Sequence, residues 1–226
     1  MTPGCWQARR GAWRGVTLIE MAIALGVAGV LLGGVWVAAS AAREAYRMSE
    51  TMDQVRHIVE GVRDRYLTTQ QIPRQDYDIF TQSLAAADIF PAAMRINHAV
   101  DPAACSAASP CYFDHAWGGD PAGSACGGGT VCATSAAAQV TLVMGAATVS
   151  GFVLVLRRLP QAACIGIASR FIGVWNDIGM GGIGFREGDG DSPGIVQAGG
   201  PPAPAFIQAN CAAENNTLYL GFRQSP

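Results

Sequence analysis

Residues 14–21 read Arg14-Gly15-Val16-Thr17-Leu18-Ile19-Glu20-Met21, "RGVTLIEM", and from Met21 to Ala39 the chain then carries no charged residue at all. At about 1.5 Å per residue that uncharged run makes a helix of roughly 28 Å, one hydrocarbon thickness. The single carboxylate at its start is the anomaly. A charge near the middle of a bilayer costs on the order of 2.5–3.5 kcal/mol even on lenient insertion scales, so Glu20 needs either an interfacial position or a partner. The run also exceeds the apolar region of a cleaved secretory signal, about 7–15 residues. Arg9, Arg10 and Arg14 precede it, which keeps the N-terminus cytoplasmic and sends the C-terminal bulk across the membrane.

Composition narrows the function classes. Half of the 226 residues are apolar, and the 15 basic residues are all arginine. No basic tract points to nucleic acid. Removal of the first 15 residues takes three arginines with it, leaving 12 basic against 17 acidic residues, a balance that speaks for solubility. Of the seven cysteines, Cys5 precedes the apolar run. Cys105, Cys111, Cys126, Cys132, Cys164 and Cys211 all follow it. An even number on one side of a membrane segment reads as a disulfide framework in an oxidising compartment, in a bacterium the periplasm or cell exterior.

The stretch "RGVTLIEMAIALGVAGVL" resembles the N-terminal signature of type IV prepilins: a short basic leader ending in Gly15, a cleavage point before Val16, and a glutamate at the fifth mature position, Glu20. The resemblance implies that a prepilin peptidase cuts after Gly15 and methylates the new amine of Val16. It also implies that Glu20 pairs with the N-terminal amine of a neighbouring subunit in a filament. Valine in place of phenylalanine at Val16, a mature chain of 211 residues and the absence of proline from Val16 to Ile72 are similar to the type IVb subclass. Gly26, Gly29, Gly33 and Gly34 lie in the apolar helix instead. Each costs about 1 kcal/mol of helix propensity, which suits a helix that packs closely or partly melts in a filament, or equally ordinary small-residue packing in a membrane.

Beyond Ala42, the residues Ala45, Met48, Met52, Val55, Val59, Val62 and Tyr66 recur at spacings of 3 and 4, an apolar stripe on a helix continuing to about Thr68. Packing on the chain's own sheet is expected, with a coiled coil as the rival. "RQDYDIFTQSLAAADIFPAAMRI" reads as a shorter helix stopped near Pro91, "QVTLVM" and "GFVLVLRRL" as a β-hairpin, "ACIGIASRFIGVW" as a short helix and "NNTLYLGFR" as a last strand. The expected fold class is therefore α+β: a long N-terminal helix packed on an antiparallel sheet, with a disulfide-bounded C-terminal region. The expected divisions are a leader at 1–15, a membrane and filament-core half-helix at 16–42, an amphipathic half-helix at 43–70, and a pilin head at 71–226. "AWGG", the hairpin, and Pro160 shortly before Cys164 also resemble the PilS-like type IVb pilins of conjugative systems.

Six cysteines allow 15 pairings. Chain order favours Cys105 with Cys111, Cys126 with Cys132, and Cys164 with Cys211, the last enclosing most of the C-terminal section as the terminal loop does in pilins. A metal site is the rival, but two C-x5-C pairs lack the C-x2-C clustering of zinc sites. In "REGDGDSPG", Glu187, Asp189 and Asp191 offer oxygen ligands for calcium without the EF-hand pattern; the alternative is a flexible acidic turn. His57, His98 and His115 form no catalytic constellation with any recognisable motif, Asp114 beside His115 being mere adjacency. No enzyme, cofactor or metal is expected.

The reading that follows is a structural subunit of a type IVb pilus serving adhesion or conjugative contact. Its partners are the prepilin peptidase, copies of itself and the inner-membrane pilus assembly machinery. Before assembly it lies in the inner membrane with its head periplasmic, and afterwards in the extracellular pilus. A minor pilin or type II secretion pseudopilin is the first alternative. A signal-anchored periplasmic binding module, with Glu20 incidental, is the alternative of another class.

Overall fold

The computed structural model describes residues 17–69, 71–94, 113–118, 131–145, 150–190 and 192–225. The chain forms two compact units, Met1–Ala45 and Tyr46–Pro226. Helix α1 (Leu18–Tyr66) runs through the end of the first and the start of the second.

In the second unit, Met48, Met52, Val55, Val59, Val62 and Tyr66 are buried, as the stripe predicts, and Thr51, Gln54 and Ile58 widen it. Ala45 is exposed, so the stripe starts one step later. Beyond Tyr66 the last carbonyls of α1 need partners, and Gln224 reaches this end of the helix. Its Nε2 donates to Tyr66 O at 2.9 Å and Thr69 O at 2.7 Å. Arg63 ties the same end to the sheet by donating from Nη2 to Ile178 O at 2.6 Å and Arg223 O at 3.1 Å.

The sheet is antiparallel throughout, in the order β1 (Val131–Thr134), β2 (Gly151–Leu159), β5 (Asn216–Arg223), β3 (Met180–Glu187), β4 (Ile195–Ala198). Period-two alternation sends Phe152, Leu154 and Leu156 of β2, and Leu218, Leu220 and Phe222 of β5, into the core that holds the α1 stripe. Helix α2 (Tyr77–Ala86) adds Phe80 and Leu84, and helix α4 (Gln161–Gly173) adds Ile167 and Phe171. An aromatic line crosses this core, from Tyr66 to Phe80 at 6.4 Å, Phe80 to Phe152 at 6.4 Å and Phe152 to Phe222 at 5.5 Å. The outer edge of β1 is protected locally: Thr81 Oγ1 of α2 accepts from Ala133 N at 3.0 Å and lies 3.1 Å from Ala133 O.

One sequence expectation is overturned. "QVTLVM" lies in a helix, α3 (Ala137–Met144), and not in a hairpin strand. Its Val140, Val143 and Met144 form a second apolar cluster with Cys132, Val153, Val155 and Tyr219, on the sheet face opposite α1. Two glycines explain the choice. Gly145 takes φ +71, the left-handed conformation that closes a helix. Gly182, paired with Gly221 across β3 and β5, lets the α3 backbone lie directly on the sheet, since a Cβ there would sit 1.8 Å from Val143 O. A backbone atom cannot move aside as a side chain does. Gly182→Val is therefore expected to lift α3 and cost about 1–3 kcal/mol, a loss of roughly 2–12 °C in melting temperature. Gly173→Ala, with nothing within 4 Å of its Cβ position, is the control and should not destabilise. Equal melting temperatures for both variants would overturn this account.

Sequence reading also missed β3, β4 and helix α5 (Pro204–Asn210), which occupy the section bounded by Cys164 and Cys211. The acidic turn after β3 is anchored and not loose. Asp189 pairs with Arg158 Nε at 3.1 Å, Thr217 Oγ1 donates to Gly188 O, and Tyr219 OH donates to Gly190 O. Asp191 lies outside the described residues.

Candidate functional site

The first turn of α1 is built by its own sequence. Thr17 precedes the helix, and Glu20 sits three residues on. Thr17 N and Oγ1 both donate to Glu20 Oε2 at 2.9 Å, and Glu20 N donates back to Thr17 Oγ1 at 3.3 Å. This reciprocal pair is a capping box, which satisfies backbone donors that a helix start leaves open. The T-x-x-E spacing carries that signal in the sequence, although the apolar surroundings draw the eye to the charge instead. The carboxylate is thus held at the helix start, exposed, with acceptor capacity to spare. Gly15 and Val16 lie outside the described residues.

From Leu18 to Val37 the apolar side chains point outward, Leu18 being 89% and Trp36 74% exposed. The helix is long and apolar enough to cross a membrane, with a mean hydropathy of 2.2 in its most apolar stretch. Around Gly26, Gly29, Gly33 and Gly34 no other described residue places an atom within 4 Å of a Cβ position, so among the described residues nothing uses their smallness. An exposed apolar surface of this extent needs a cover, either lipid or protein.

In the C-terminal section, Cys164 and Cys211 form a disulfide with Cα atoms 5.7 Å apart. Cys132 is disulfide-bonded as well. Cys105, Cys111 and Cys126 lie outside the described residues. His98 does too, while His57 is exposed on α1. His115 is a core residue, only 3% exposed. Its Nε2 lies 2.6 Å from Arg157 O and its Nδ1 accepts from Trp117 N, so the ring is neutral with the proton on Nε2. Burial pushes its pKa below the ordinary value of 6.5. A buried neutral histidine gives an unfolded state that binds more protons in acid. The protein is therefore expected to lose stability as the pH falls below about 6.5, by at most about 1.4 kcal/mol per pH unit from this group. His115→Gln should flatten that slope in urea melts at pH 5 and 7.5; an unchanged slope would place its origin elsewhere.

The fold now has a counterpart. A crystal structure of a type IVb pilin from Salmonella typhi matches with a TM-score of 0.50 and 16% identity, over 77% of this chain and 98% of the other. The chain has a type IVb pilin fold. A crystal structure of TcpA, a type IV pilin from Vibrio cholerae El Tor biotype, gives a TM-score of 0.45 and 13% identity, over 78% of this chain and 98% of that one. No family model matches the chain, and no curated protein matches its sequence. In this pilin fold the long helix, the five-stranded antiparallel sheet and the disulfide-bounded section all stand where the α+β expectation put them.

Proposed function

We propose that the chain is a structural subunit of a type IVb pilus. It is made as a prepilin with a leader at 1–15, cut by a prepilin peptidase between Gly15 and Val16 and N-methylated at Val16. Residues 16–42 then serve first as membrane anchor and later as filament core, 43–70 are the amphipathic half of the helix, and 71–226 form the head. The subunit passes from the inner membrane, head in the periplasm, to an extracellular filament used for adhesion or conjugative contact. One observation carries the reading: in a chain of pilin fold, the exposed uncharged helix opens on a single carboxylate, Glu20, held at its first turn.

The chemistry supports it step by step. A head-to-tail contact between identical subunits with an unclosed rotation builds an open helical filament. Lipid and neighbouring helices both satisfy the outward-facing residues Leu18 to Val37, so extraction from the membrane exchanges one apolar cover for another. Glu20 stays solvated or interfacial before assembly and is neutralised by an incoming amine within the filament. The test is the N-terminal mass of the protein recovered from cells that contain a prepilin peptidase. A chain starting at N-methylated Val16 is the expected result. An intact Met1 start overturns the reading and leaves a signal-anchored module with an incidental glutamate.

A further inference from the structure

A groove of ≈ 390 Å³ lies in the second unit beside α1, lined by Tyr46, Glu50, Asp53, Gln54 and His57 of the helix and by Pro91 of the segment after α2. Its chemistry is one-sided. Glu50, Asp53 and His57 fall one turn apart along the helix, and neither carboxylate has an ion-pair partner among the described residues. Gln54 sits among them, only 8% exposed, and its Oε1 accepts no hydrogen bond among the described residues. A buried amide oxygen without a donor costs about 1–3 kcal/mol. Its retention beside two unpaired carboxylates points to a donor that arrives from outside.

The donor set narrows the occupant. A divalent ion needs several close ligands, and among the described residues no group of three His, Cys, Asp or Glu side chains is placed to hold one. A planar guanidinium fits better, since it carries five N–H donors and no acceptor. It can face the two carboxylates and the Gln54 oxygen together. The chain itself is rich in such groups: every one of its 15 basic residues is arginine. Several are exposed, and Arg170, in the last turn of α4, has no hydrogen-bond or ion-pair partner among the described residues. Resting on the pilin reading, we infer that this groove receives an arginine side chain from a second copy of the chain, with Arg170 the first candidate, and so fixes how heads dock in the filament.

The absence of lysine supplies the test. A carbodiimide joins carboxylates to amines, so the only amine of the wild-type chain is its N-terminus. Each exposed arginine among the described residues is replaced by lysine singly, Arg170→Lys first and then Arg43, Arg47, Arg56, Arg65, Arg74 and Arg223. Filaments sheared from cells making the full chain are treated with carbodiimide, and the covalent dimer is mapped by mass spectrometry. The expected result is a link from one introduced lysine to Glu50 or Asp53 of another subunit, lost on Glu50→Gln with Asp53→Asn. That pair of neutral substitutions, at half-buried Glu50 and exposed Asp53, should also lower filament yield about tenfold, the loss of roughly one charge-assisted contact. Unchanged yield from that variant, or no such link from any lysine, overturns the inference. A link from the N-terminal amine to Glu20 reports the pilin reading separately. Failure of the wild-type chain to form filaments overturns that reading, and this inference with it, before any variant is made.

Discussion

Glu20→Ala is expected to leave the protein inserted in the membrane and to remove it from filaments. Insertion depends on the uncharged run that follows, and loss of a charge only eases it. Assembly differs because the amine of an incoming Val16 would be left in an apolar core without its counter-charge. Breaking one side of such a buried pair costs about 3–5 kcal/mol, a drop of roughly 10² to 10⁴ in the incorporation equilibrium. The capping box offers a way to separate two roles of the same side chain. Glutamine can occupy the third position of the box as well as glutamate, so Glu20→Gln keeps the helix start, including the contacts now made with Thr17. It carries no charge, however, and is expected to fail in assembly almost as completely as alanine. Thr17→Ala is the converse, weakening the helix start by about 1 kcal/mol while leaving the carboxylate. Immunoblots of sheared and membrane fractions would read all three. Normal filament yield from Glu20→Gln would mean that the glutamate acts as a helix cap alone.

These contrasts mark what a sequence can and cannot carry. The stripe from Met48 to Tyr66 was legible because its period depends on nothing outside the helix. Helix α3 was not. Its Val140, Thr141, Leu142, Val143 run alternates as a strand would, and the features that decide otherwise include Gly182 and Gly221, some forty and eighty positions further on. Gly182, with Gly181 and Gly184, also hid β3, because the glycine-rich "MGGIGF" carries little strand signal until a helix is known to lie upon it. Glu20 was legible as a misplaced charge, and its bonding to Thr17 follows from spacing. The groove at Gln54 was not, since Pro91 reaches it only through the turn after α2. Local periodicity survives in the sequence; close contact between distant segments is recorded there only as missing side chains.

Joint replacement of Cys164 and Cys211 by alanine should cost about 4 kcal/mol, nearly all of it through the unfolded chain. A crosslink that closes a loop of this size, 47 residues apart in sequence, removes loop-closure entropy of that order in the chain-entropy model. Both cysteines are fully buried, so the lost sulfur contacts add to the effect. At about 2–4 °C per kcal/mol for a chain of this length, the melting temperature should fall by roughly 8–16 °C. The loss should also be uneven. Strand β2 pairs with β5 directly, and both lie outside the disulfide loop. The enclosed elements, β3, β4 and α5, depend on the crosslink to return to register against β5. Hydrogen exchange is then expected to speed up first at β4, the edge strand with Ile195 half exposed, and last at the β2 and β5 pair. A uniform rise across all five strands would show instead that the sheet opens as one unit and that the disulfide restrains only global unfolding.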